Sequence, residues 1–137
     1  MAQGFNAPGA PTPVGIFSSA AWQPEGRVLY VSGHLSADAE GNLVGAGDMR
    51  AQTKQTLTNI QTVLSAAGGV MSDIAKMTFF VADLSRGREV QEVRAEFFDP
   101  PYPASTLIGV SSLARPGYLI EVEAVAVIPF DRAKEPS

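Results

Sequence analysis

Two carboxylates, Glu121 and Glu123, sit two residues apart in the run Leu119-Ile120-Glu121-Val122-Glu123-Ala124-Val125-Ala126-Val127. In an extended strand this spacing puts both on one face, with Val122, Ala124, Ala126 and Ile128 on the other. So apolar a strand belongs at the centre of a sheet, and at least one carboxylate is then expected to be partly removed from water. Burial and a like-charged neighbour both raise a carboxylate's affinity for protons. Such a group can order a water or carry a proton. The same residues also suit carboxylates that accept backbone or hydroxyl hydrogen bonds at a subunit edge.

His34 follows Ser32-Gly33 and is the only histidine. One imidazole does not make a histidine metal site. It reads either as a hydrogen-bonding residue at a strand end or as a titratable contact to a ligand. Cysteine is absent, which excludes disulfides, thiolate catalysis and thiolate metal sites. Phe17, in Gly15-Ile16-Phe17-Ser18-Ser19-Ala20, can wall an apolar pocket or stack on a conjugated ligand, and it can equally serve as core.

The elements that must position these residues follow from periodicity and turn chemistry. Residues 6–13, Asn-Ala-Pro-Gly-Ala-Pro-Thr-Pro, read as an extended arm. Ile16–Trp22 and Val28–Ser32 are predicted strands, joined through Pro24-Glu25-Gly26 as an antiparallel hairpin. Asp48 is a helix N-cap, and Leu57, Ile60, Leu64 and Ala67 form one apolar stripe that Gly68-Gly69 ends. Ile74–Ala82 is a strand. Asp83-Leu84-Ser85 opens a second helix carrying Val90, Val93 and Phe97, which Pro100-Pro101 terminates. Thr106–Ser111 and Leu119–Ile128 complete the order β-β-α-β-α-β-β. Two such helices cover one face of a mixed sheet and leave the other needing cover.

The chain of 137 residues reads as a single α+β domain, with an ordered core over about residues 5–129, an arm at 1–12 and a polar, frayed tail at 131–137. Ten Lys and Arg against fourteen Asp and Glu give a net charge of −4, with no clustered cations for a phosphate backbone, so no nucleic-acid partner is expected. No run approaches about twenty apolar residues and the first residues carry no targeting pattern, so a cytoplasmic protein without a membrane partner is expected. Charged residues make up only 18% against 45% hydrophobic. That is lean for a small monomer and suggests surface that a partner covers.

Pro103-Ala104-Ser105-Thr106 together with the Glu121 run resembles the signature of the RidA/YjgF/UK114 family. Further matching stretches are Ser32-Gly33, Gln52, Asn59-Ile60, Ala66-Ala67-Gly68 and Lys76-Met77-Thr78-Phe79-Phe80-Val81-Ala82-Asp83, so the resemblance spans about residues 5–129. It implies a chorismate-mutase-like fold, a homotrimeric barrel with helices outside, and three clefts between subunits. It also implies cofactor-free hydrolysis of small enamines and imines, in which the residue matching Glu121 positions the water and that matching Glu123 is structural. Gly33 and the Gly109-Val110 peptide match groups lining the cavity. His34 stands where the family has Gln, and Phe17 where it has Tyr.

One departure bears on the substrate. The family's deaminases carry an arginine directly after Pro-Ala, and that position here is Ser105. A guanidinium grips a carboxylate through two charged hydrogen bonds, and serine offers one neutral donor. Three readings follow: the substrate lacks a carboxylate, another cation binds it, or the deaminase reaction is lost. Arg115 is the nearest substitute in sequence, with Arg27, Arg86, Arg88 and Arg94 as further options, while Thr106 matches a hydroxyl that can bond substrate. The expected function is hydrolytic deamination of an enamine or imine other than the standard 2-imino acids, with Glu121 catalytic and Ser105, Thr106, Phe17, His34, Gly33 and Arg115 around the substrate. Alternatives are a ligand-binding regulatory protein or a chaperone-like interaction protein on the same scaffold.

Overall fold

The computed structural model describes every residue except Ala2. Six strands and two helices run in the order β1 (Gln3–Phe5), β2 (Ala20–Trp22), β3 (Arg27–Leu35), α1 (Met49–Ala66), β4 (Ile74–Val81), α2 (Gly87–Arg94), β5 (Ala104–Gly109) and β6 (Ile120–Ile128). β3–β6 form one mixed sheet in the order β3-β6-β4-β5. β6 is antiparallel to both neighbours and β4 is parallel to β5. The α+β class, the mixed sheet and the presence of two helices are as the periodicity requires, with β6 in the interior as its apolar content demands. The second helix is shorter than expected, because Leu84–Arg86 form a separate 3-10 turn and α2 ends at Arg94, leaving Phe97 in the turn beyond it.

α1 begins where the Asp48 carboxylate accepts the Ala51 amide and ends at Ala67, followed by Gly68 at φ +85°. That left-handed backbone favours glycine. Leu57, Ile60 and Leu64 are fully buried against Met77, Phe79, Val122 and Ala126. Burying side chains of this size contributes about 1.5–3 kcal/mol each.

Three further expectations are corrected. β2 does not form a hairpin with β3; it pairs with β1, as a separate two-stranded sheet. The regular strand covers only Ala20–Trp22 of the predicted Ile16–Trp22. The cause is Ser18, whose amide donates to Pro103 O (2.9 Å) and whose hydroxyl donates to Tyr102 O (2.6 Å), which carries the preceding segment to the β5 side of the sheet. Nor is the polar tail frayed: Arg132 donates twice to the buried Asp73 carboxylate and once to Gly68 O, and the Lys134 amide donates to Ala67 O. No helix among the described residues is long and apolar enough to cross a membrane.

Candidate functional site

Strand register decides which side chains share a face, because directly opposed residues point the same way. On the face away from the helices, Glu121 aligns with Phe80 and Ile108. Glu123 aligns with Thr78 and Thr106, and Val125 with Tyr30, Lys76 and Ala104. On the helix-covered face, Ala124 aligns with Val31, Met77 and Ser105, and Val122 with Phe79 and Leu107. Thr106 therefore shares a face with both glutamates, and Ser105 lies on the opposite one.

Glu121 is half-buried and Glu123 exposed. The Glu121 carboxylate lies over Gly33, so close that a β-carbon at position 33 would fall on its Oε2. Gly33 sits in an irregularity of β3 between Val31 and His34, where the register against β6 shifts. The bulge turns bare main chain toward the carboxylate. The next residue, His34, places Nδ1 2.7 Å from Ser32 O, and its ring helps line a shallow groove of about 490 Å³ between β3 and α1, with Asn59 and Val63. Asn59 donates to the carbonyls of Leu35 and Ala37 and so fixes the end of β3. Gln52, fully buried, braces the entry to β6: its amide donates to Gly45 O and Gly117 O, and its oxygen accepts the Leu119 amide.

Thr106 Oγ1 accepts from Lys76 Nζ at 2.8 Å. Partial burial lowers the Lys76 pKa, and the nearby Glu123 charge opposes that. This places a cation on the open face in the row of Val125 and Tyr30, next to that of Glu123, a site residue the sequence reading did not single out. Ser105 Oγ is buried without a hydrogen-bond partner. Ser18 bridges Ala104, which sets Phe17, half-buried, beside the start of β5.

The candidates thus fall into two groups. Glu121 and Gly33 lie together on the open face at the β3–β6 side, and Phe17 and Ser105 at the β5 edge. His34, opposite Val122, falls instead on the helix-covered face beside α1, away from the Glu121 carboxylate. Two strand spacings and three residues separate Glu121 from Ser105, roughly 14 Å between α-carbons, on opposite faces. Arg115 reaches neither group: it donates to Gly41 O and stacks 5.4 Å over Tyr118. Arg27 pairs with Glu135, and Arg86 with Glu89. Arg94, on α2 over Ser105's side of the sheet, is enclosed with its guanidinium 4.2 Å over the Phe79 ring. No group of three or more His, Asp or Glu among the described residues is arranged to hold a metal ion.

A family model described as Endoribonuclease L-PSP matches residues 8–128. The chain is 32% identical over 124 residues to a 2-iminobutanoate/2-iminopropanoate deaminase of Dermatophagoides farinae, covering 90% of this chain and 94% of that protein. It is 36% identical over 117 residues to a RutC family protein of Pyrococcus horikoshii, covering 85% and 90%. Among solved structures it resembles a Rid-family protein of unknown function from Yersinia pestis, with TM-score 0.77, 34% identity and coverage of 82% and 87%. It also resembles RidA from an Antarctic Psychrobacter, with TM-score 0.70, 33% identity and coverage of 87% and 94%.

Proposed function

The chain belongs to the RidA/YjgF/UK114 family, and from that membership and the division of its site we propose that it hydrolyses a small enamine or imine in a cleft shared between subunits of a homotrimer. Deaminase-type hydrolysis is the chemistry that membership supports. The observation that carries the shared cleft is the division itself: within one chain Glu121 and Gly33 lie on one side of the sheet and Phe17 and Ser105 at the far edge. A neighbour bringing its Phe17–Ser105 edge to this chain's Glu121 would complete the cleft. The same contact would cover Tyr30 and Ile108, which stand exposed on the open face.

In this reading Glu121 orders a water and takes its proton as the oxygen bonds to the C=N carbon. With the imine entering protonated, Glu121 returns that proton to the carbinolamine nitrogen, the C–N bond breaks as ammonia leaves, and the hydroxyl oxygen sheds its remaining proton as it becomes the carbonyl. Backbone groups around Gly33, with Thr106, hold the polar part of the substrate, and Phe17 walls the cavity; His34, on the α1 side of β3, takes no part. A substrate without a carboxylate fits best, because Ser105 supplies no cation, Arg115 is turned elsewhere, and Lys76, the cation on the open face, is already bonded to Thr106 beside the Glu123 charge.

The test is competition against semicarbazide for imines generated in solution, carboxylate-bearing and uncharged, with wild type and Glu121→Ala. Turnover of an uncharged imine or enamine that disappears in the variant, with its assembly state unchanged, is the expected result. Full activity in Glu121→Ala would sink the mechanism. Preferential turnover of 2-imino acids would sink the substrate assignment.

A further inference from the structure

Arg94 is 1% exposed. No carboxylate among the described residues pairs with it, its Nε has no partner, and burial brings its pKa down to about 10, so it remains charged at neutral pH. A buried charge without a counter-ion is costly and persists when its remaining contacts are worth more than the cost. It makes two such contacts: the face of Phe79, and one hydrogen bond of 2.6 Å from Nη2 to Ile16 O. Gln91, three residues earlier on the same face of α2, accepts the amide of that same Ile16 at 3.1 Å. Two side chains of one helix thus grip both main-chain groups of a single residue.

That residue immediately precedes Phe17. On the other side, Ser18 is fastened to Tyr102 O and Pro103 O. Before Ile16 stands Gly15 at φ +141°, where a β-carbon would lie 3.0 Å from Gln91 Oε1 and 3.2 Å from Phe17 Cε1. Phe17 belongs to no strand or helix, so these attachments on its two sides set where its ring stands. We propose that Arg94 is a positioning residue which, through the Ile16 carbonyl, holds Phe17 in place as the wall of the substrate cleft. The assignment rests on the reading of Phe17 as that wall. It uses the buried cation on the protein's own main chain, not on a substrate carboxylate.

The test compares Arg94→Met with Arg94→Lys, which keeps a charged donor for Ile16 O, and with Gly15→Ala, which crowds the same segment without altering the core. Amide hydrogen exchange is read residue by residue, with KM and kcat for an uncharged enamine and for a 2-imino acid. Arg94→Met is expected to speed exchange at the Ile16 amide about tenfold, the equivalent of one lost charged hydrogen bond, while the Ser18 amide stays protected. KM for the uncharged substrate should rise by a similar factor with kcat little changed, Arg94→Lys should restore both, and Gly15→Ala should reproduce the KM rise. Unchanged exchange at Ile16 with unchanged KM would overturn the proposal. So would a KM rise confined to the 2-imino acid, which would make Arg94 a substrate ligand. Should wild type turn over no imine, the cleft reading fails, while exchange at Ile16 still decides whether the clasp exists.

Discussion

The Glu121 side and the Ser105 side of the sheet handle polar groups in opposite ways. At Glu121 a charge is held half in water against bare main chain, with the bulge at Gly33 making room. At Ser105 the local polar groups are enclosed: its hydroxyl has no partner, and Arg94 spends its charge on a carbonyl and a ring. A carboxylate in the first setting remains free to take a proton from water. A guanidinium in the second is committed to structure. On the proposed reading, the reactive half and the walling half of the cleft would make different demands on the same sheet, an accessible charge in one and a rigid frame in the other.

The sharpest way to break the contrast is at Glu121. Glu121→Gln should lower kcat by about a hundredfold to ten-thousandfold, the usual worth of a general base. Mixed assemblies of this variant with one disabled at Phe17 should recover part of the activity if the protein forms the proposed trimer with clefts shared between subunits. Activity that never recovers on mixing would confine the site to one chain.

Next comes Gly33→Ala, which pushes the Glu121 carboxylate from its seat. A displacement of about an ångström costs up to about a hundredfold in rate, so kcat should fall by ten- to a hundredfold while the melting temperature changes little. An unchanged kcat would mean that the carboxylate's position over Gly33 is incidental.

A third site, remote from both halves, separates stability from activity. Burial pushes the Asp73 pKa up, but hydrogen bonds from Arg132 and the Val70 amide, with the charges of Arg132 and the N-terminus, leave it below its ordinary 3.8. A carboxyl group with a depressed pKa stabilises the fold above its unfolded value, and that contribution is lost as pH falls through the folded value. Melting temperature should therefore drop on acidification below about pH 4. Asp73→Asn should remove much of that dependence and cost about 2 kcal/mol at neutral pH, less than a fully enclosed pair because Arg132 stays partly exposed. Denaturant unfolding of the two proteins at pH 3 and pH 7 measures it.

The smallest effect expected is at Ser105. Ser105→Ala removes a buried hydroxyl that bonds to nothing, so stability should rise, by up to about 1 kcal/mol. A loss of stability in thermal melts would show that the hydroxyl has a partner when the protein assembles.

Much of this was legible in the residues. The α1 cap at Asp48, its stop at Gly68 and its apolar stripe are local features, each decided within a turn or two of helix. The alternation of β6 put Glu121 and Glu123 on one face. Ser105, however, falls outside the predicted strand Thr106–Ser111 and is expected to face the substrate with Thr106; β5 begins at Ala104, so Ser105 and Thr106 lie on opposite faces. Alternation could not say which of the last two faced the glutamates. That depends on how β5 registers against β4 and β4 against β6, including a shift between Ile74 and Lys76. The partner of β2 was hidden for a similar reason: its placement hangs on Ser18 reaching the carbonyl of Tyr102, eighty-four residues away in sequence, and that of Pro103.

The family motifs, α1, the central strand and the shared face of Glu121 and Glu123 can be read from the residues alone, because periodicity, caps and motif spacing act over short stretches of chain. The division of the candidate residues between two sides of the sheet, the occupation of Arg115 elsewhere and the enclosure of Arg94 against Phe79 and Ile16 come from the folded chain. Those outcomes depend on bulges, register and the burial of single polar atoms, which arise from contacts between segments far apart in the chain.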